Sequence, residues 1–144
     1  RHLYTRYYPD PDLLIRTKDL YDGAYPSGNS VAYYVLTQLE ALFNDPRTRD
    51  ALEGLERHFM RELRLTPSAY TMFMCGALMK DASRTLEVFG PSDPWFPGYH
   101  PHLLTVKADH LEDQPLLPRG YRLCLKGACL PETDDRKEVE KLLE

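Results

Sequence analysis

The side chains best suited to chemistry crowd into one short segment. Asp22-Gly23-Ala24-Tyr25-Pro26-Ser27-Gly28-Asn29-Ser30 carries a carboxylate, hydroxyls and an amide within nine residues. Asp22 is suited to act as a general acid or base, or to bind a sugar hydroxyl. Ser27, Asn29 and Ser30 can bond ligand hydroxyls, and Gly23 and Gly28 let backbone approach a ligand closely. The same residue types also cap helices and close tight turns. Glycoside hydrolysis needs two carboxylates across the scissile bond. This segment offers one, so a second would have to come from elsewhere.

The cysteines form a second candidate. If Lys126-Gly127 is a two-residue turn, Cys124 stands opposite Cys129 in a non-hydrogen-bonded pair. Cα atoms in such a pair lie about 4.5 Å apart, at the short end of disulfide reach. Two thiols filling a core are the favoured reading, and a redox couple is the alternative. Cys75 reads as core. An odd count of three cysteines leaves at least one thiol unpaired, which favours a reducing compartment, the cytoplasm. His100-Pro101-His102, with Asp109 and His110, offers nitrogen and oxygen ligands but no established metal spacing, so no metal and no cofactor is expected. Tyr4, Tyr7, Tyr8, Tyr21, Tyr25, Tyr33 and Tyr34 have the composition of a sugar platform, yet aromatic rings also fill helix interfaces.

Helices must position the first segment. Val31, Ala32, Val35, Leu36, Leu39, Leu42 and Phe43 recur at the helical period and predict an inward-facing stripe. Ser27 or Asn29 can cap that helix, and Asn44-Asp45-Pro46 ends it and starts the next. Ala51, Leu52, Leu55, Phe59, Met60 and Leu63 form the second stripe. Thr66-Pro67 repeats the cap-then-proline signal. The third helix runs from Pro67 to about Asp81, and its apolar residues cover nearly all faces, which predicts a buried central helix. Short connections favour antiparallel neighbours. Before these helices, Leu13-Leu14-Ile15 is an apolar run able to dock on a core.

The pattern changes near residue 83. Thr85–Phe89 and Leu103–Lys107 read as strands around a proline-rich loop, in which Trp95-Phe96-Pro97 either packs the loop down or meets the helical part. Tyr121–Leu125 and Ala128–Leu130 read as a hairpin. Thr133 or Asp134 caps a last helix with Val139, Leu142 and Leu143 inward, and Asp134 to Glu138 forms a solvated face with acids near the helix start. The fold class is therefore α+β, with a helical part at 1–83 and a small α/β part at 84–144.

Composition excludes several classes. Net charge is -4 and no Lys/Arg block exceeds two residues, so nucleic acid is a poor partner. No apolar run is long enough for a membrane span. The chain opens on Arg1-His2-Leu3-Tyr4, without a signal-peptide pattern or an initiator Met, which suggests a piece of a longer protein.

Arg16 to Val31, RTKDLYDGAYPSGNSV, resembles the segment R-x-K-D-x-x-D-G-A-x-P-S-G-N-S of the YyaL-like, spermatogenesis-associated thioredoxin-domain family. Cys124-Leu-Lys-Gly-Ala-Cys129-Leu-Pro131 resembles that family's C-x-x-x-x-C-x-x-P, with Gly127 in place of the bulkier residues often seen there. The resemblance spans nearly the whole chain. It implies the last helices of an (α/α) toroid of the six-hairpin glycosidase type, followed by a small extension. The partner it implies is the remainder of a parent protein, including a thioredoxin-like domain. It further implies a loop at the toroid cavity, with a sugar as possible ligand, and no turnover from this chain alone. The alternatives are an epimerase or hydrolase site around Asp22, and a redox segment using Cys124 and Cys129. A helical part without its neighbours would expose an apolar face, through which the chain would form a homodimer.

Overall fold

The computed structural model describes residues 18–90, 95–100, 102–107, 117–125 and 128–144. The chain divides into two compact units between Asp81 and Ala82. The fold class is α+β.

Among its described residues, the first unit holds three α-helices whose starts are dictated locally, with one exception. Ser27 caps α1 (Gly28–Phe43): its backbone is extended and its side chain accepts from the Ser30 N–H. The helix ends at Asn44, in the left-handed conformation, whose N–H donates to the Glu40 carbonyl. Asp45 then caps α2 (Pro46–Leu65) by accepting from the Arg47 N–H, and Pro46 occupies the first turn where no donor is missed. Leu52, Leu55, Phe59 and Leu63 are buried along one side of α2, at spacings of three and four. Burying each such side chain contributes roughly 1.5–3 kcal/mol. Together with Leu20, Tyr33 and Phe73 they form the core of this unit. The Tyr33 and Phe73 rings stack with centroids 3.9 Å apart.

The buried face of α1 is not the one its apolar pattern predicts. Asn29, Ser30, Tyr33 and Thr37 are buried, whereas Val31, Val35, Leu39 and Phe43 are exposed, Phe43 to 69%. Each hydroxyl on the buried side has a partner. Ser30 Oγ donates to the Leu20 carbonyl, Thr37 Oγ1 to the Tyr33 carbonyl and Tyr33 Oη to Glu56 Oε1. With those bonds made, burial of a polar face loses little, and the Tyr33 ring supplies the apolar contact.

The third helix also differs from expectation. Pro67–Ala69 forms a single 3-10 turn, and α3 runs Thr71–Ala82. Its interior face is narrow: Phe73, Gly76 and Met79 are buried, while Leu78 is 59% exposed and Cys75 is exposed. Cys75 is therefore not a core residue. An apolar residue on every face does not bury a helix unless something covers every face, and among the described residues α3 is covered on one.

The described residues of the second unit form a four-stranded mixed sheet, in the order β2-β1-β3-β4, and one helix. β1 (Arg84–Phe89) pairs parallel with β2 (Leu103–Lys107) and antiparallel with β3 (Gly120–Leu125). The parallel pair needs a long connection, and the proline-rich stretch before Leu103 supplies it. β3 pairs antiparallel with β4 (Ala128–Cys129). Residues 126 and 127, the expected turn, lie outside the described residues. α4 (Arg136–Leu143) is capped by Asp135 rather than by Thr133 or Asp134. Thr133 instead accepts from the Asp135 N–H. Val139 and Leu143 of α4 join Leu86, Val88 and Leu123 in the core of this unit, while Leu142 is exposed. Trp95 stands edge-on to Tyr121, and the Arg136 guanidinium lies 4.5 Å above the Trp95 ring, so this loop is packed onto its own unit. Gly120 at φ 152° fits where a Cβ would meet the Thr133 carbonyl at 2.6 Å. No helix is long and apolar enough to cross a membrane among the described residues.

Candidate functional site

The Asp22–Ser30 segment is brought together with the start of α3, about fifty residues away. Asp22 Oδ1 accepts from the Ser27 N–H at 2.8 Å. Asp22 Oδ2 accepts from the Met72 N–H at 2.8 Å and from the Phe73 N–H at 3.4 Å. The Asp22 N–H donates to the Ala69 carbonyl at 2.9 Å. These are the first-turn donors of α3, which a local cap normally satisfies. The expected local cap, Thr66, makes no such side-chain bond. Asp22 thus caps α3 from a distance, and its negative charge lies where the helix dipole favours it.

The hydroxyl and amide groups of the segment are likewise turned inward. Ser27 Oγ donates to Ser30 Oγ at 2.9 Å and accepts from the Ser30 N–H at 3.1 Å. Asn29 Nδ2 donates to the Asp19 carbonyl at 2.7 Å. Ser27, Asn29 and Ser30 are all buried. Gly23 is exposed beneath the Tyr21 ring, where a Cβ would come within 2.9 Å of Tyr21 Cε1. Gly28 opens α1 with free space around it. What the segment shows to solvent is aromatic: Tyr21 is 67% and Tyr25 79% exposed. Tyr33, by contrast, is buried, so the proposed tyrosine platform is split. Tyr4, Tyr7, Tyr8 and the run Leu13-Leu14-Ile15 lie outside the described residues.

A second polar cluster sits beneath α1, and the sequence pattern does not reveal it. Tyr33 Oη donates to Glu56 Oε1 at 2.5 Å, and Lys80 Nζ donates to the same oxygen at 2.7 Å. Burial pushes the Tyr33 phenol far above the usual tyrosine range, reinforced by the Glu56 hydrogen bond and charge and then by Asp81. Such a tyrosine stays protonated and serves as a donor, not a nucleophile. The contributing residues come from three helices, so no local spacing announces them. In the other unit, Arg122 Nε lies 2.5 Å from Glu87 Oε2 across β1 and β3, with Glu132 Oε1 at 3.6 Å from Arg122 Nη1.

Cys124 and Cys129 are joined by a disulfide, in register opposite one another on β3 and β4. They are therefore not the pair of core thiols favoured from spacing. Cys124 is buried and Cys129 exposed. His100 and His102 lie at the foot of β2, where the Leu103 N–H donates to the His100 carbonyl and the Arg84 N–H to the His102 carbonyl. Asp109 and His110 lie outside the described residues. Among the described residues, no three ligating side chains converge.

No protein-family pattern, curated protein or solved structure matches the chain.

Proposed function

We propose that this chain is a non-catalytic helical segment with a small α/β extension, and that its α1 face seats against further helices of one larger protein. The arrangement suits the closing helices of an (α/α) toroid in a thioredoxin-domain protein of the family that Arg16 to Val31 resembles. The observation that carries this reading is the exposed ridge Val31, Val35, Leu39 and Phe43. Its residues recur every four positions and extend about 18 Å along the helix. A ridge of that spacing fits the groove of another helix at a crossing near −50°. The internal use of Asp22, Ser27, Asn29 and Ser30 supports a structural role for the segment and no turnover from the chain alone.

The test is the state of association. Sedimentation of the chain over a wide concentration range should show self-association, with binding of an apolar dye. Val35→Glu together with Leu39→Glu should abolish both and leave thermal stability unchanged. A wild-type chain that stays monomeric and dye-free at the highest concentration would defeat the reading. The carbohydrate alternative, an epimerase or hydrolase site around Asp22, draws support only from exposed Tyr21 and Tyr25. A panel of mono- and disaccharides titrated against wild type and Tyr25→Ala by NMR would decide it. Binding lost in Tyr25→Ala would favour it, and no binding would remove it.

A further inference from the structure

The disulfide stands at the outer edge of the sheet, on a strand of two residues. Cys124 and Cys129 are directly opposite, with Cα atoms 3.9 Å apart. The hairpin around them is held by other bonds. The Leu130 N–H donates to the Leu123 carbonyl at 2.9 Å. Beyond it, Tyr121 and Thr133 exchange two backbone bonds, at 2.8 and 3.0 Å. α4 follows, anchored by Val139 and Leu143. The bridge itself spans a sequence separation of only 5. A loop that short restricts the unfolded chain less than a long one. The sulfur bond therefore adds less than a bridge closing a long loop would, to a hairpin that backbone bonds already hold on the side away from its turn. Access is also asymmetric: Cys124 is 8% exposed, whereas Cys129 is exposed. Thiolate exchange depends on which sulfur can be reached.

We propose that Cys124–Cys129 is a dithiol–disulfide exchange site, reduced by a dithiol partner that attacks Cys129. A partner thiolate attacks Cys129 Sγ. The bond to Cys124 Sγ breaks, and Cys124 leaves as a thiolate that takes up a proton. The partner's second thiolate then attacks the partner sulfur of the mixed disulfide and closes the partner's own disulfide. Cys129 leaves as a thiolate and is protonated. Two electrons have passed to the protein, and the partner has been oxidised. The retained β3–β4 pairing keeps the two thiols facing each other, so reoxidation by a disulfide partner is intramolecular in its second step.

The test counts thiols in the oxidised chain under native conditions, by alkylation and mass spectrometry, before and after about 1 mM dithiothreitol. Cys75 is free and exposed, and it serves as an internal standard. One alkylated cysteine before reduction and three after, with circular dichroism unchanged, is the expected result. A limiting amount of an alkylating reagent applied to the reduced chain should label Cys129 in roughly tenfold preference to Cys124, following exposure. Three reactive thiols before reduction would overturn the proposal, because there would be no bridge. So would a bridge that opens only in denaturant, or one whose reduction unfolds the chain. The Cys124→Ser, Cys129→Ser double variant supplies the last control. It should keep the wild-type circular dichroism spectrum, and loss of that spectrum would show the bridge to be a structural staple.

Discussion

Replacing Asp22 by Ala is the most informative single change, because it separates a carboxylate that caps from one that reacts. The substitution removes the acceptor of the Met72 and Phe73 N–H groups and that of the Ser27 N–H. Loss of one helix cap costs about 1 kcal/mol. Loss of a charge-assisted bond to the part-buried Ser27 N–H costs about 1.5–3 kcal/mol more. A total near 3 kcal/mol corresponds to a fall in Tm of about 12–24 °C for a unit of this size. Asp22→Asn should fare little better. The amide keeps one acceptor oxygen but turns its NH2 toward an N–H on the other side. Thermal and urea unfolding measure the loss, and hydrogen exchange of the Met72 and Phe73 amides locates it. Both amides should exchange faster in Asp22→Ala, while those of β1 and β3 keep their protection. A variant with unchanged Tm and unchanged exchange would refute the cap, and would return Asp22 to the list of groups available for chemistry.

Other outcomes follow from the same packing. Gly76→Ala places a Cβ 2.7 Å from Tyr33 Cδ1 and 3.1 Å from the Tyr34 Cα. The helix-propensity gain of about 1 kcal/mol is outweighed by overpacking of about 1–3 kcal/mol, so urea unfolding should show a net loss; a net gain would mean the α1 and α3 backbones separate freely. Tyr33→Phe should cost about 1 kcal/mol at neutral pH through the lost bond to Glu56. It should also flatten the pH profile at the alkaline end. The folded Tyr33 holds its proton above the ordinary value of about 10, so the unfolded chain releases that proton first. Wild-type stability is thus whole below pH 10 and declines as pH rises beyond it. Matching slopes for wild type and Tyr33→Phe between roughly pH 9 and 11 would rule out the linkage. Leu86→Ala, at a fully buried position on the central strand, should cost about 2–5 kcal/mol and raise exchange rates along β1; a smaller effect would contradict the placement of Leu86 in the core.

The candidate segment was legible as a cluster of special residues but not as to its role. Asp22 looks available for catalysis because the donors that occupy its second oxygen lie about fifty residues away in sequence. The need arises at Met72 and Phe73, where Tyr70, just before α3, offers no capping oxygen. That uncapped start was the one available signal, and Thr66-Pro67 obscured it by imitating a cap several residues early. Cys75 was misplaced for a related reason. Its helix is apolar on every side, and only the neighbours decide which side is covered.

Local sequence alone determined what depends on adjacent residues. Ser27 and Asp45 fix the starts of α1 and α2, Leu52, Leu55, Phe59 and Leu63 fix the inner side of α2, and the hairpin length sets Cys124 opposite Cys129. Each rests on a cap, a period or a turn spanning a few positions. Tertiary structure decided the rest: β1 at the centre of a mixed sheet, the remote cap of α3 by Asp22, and the burial of Ser30, Tyr33 and Thr37 in preference to a more apolar stripe. Those outcomes turn on partners far along the chain. A polar side becomes the buried side once Leu20, Glu56 and the backbone of α1 itself satisfy its hydroxyls, and hydrophobic periodicity carries no record of such bonds.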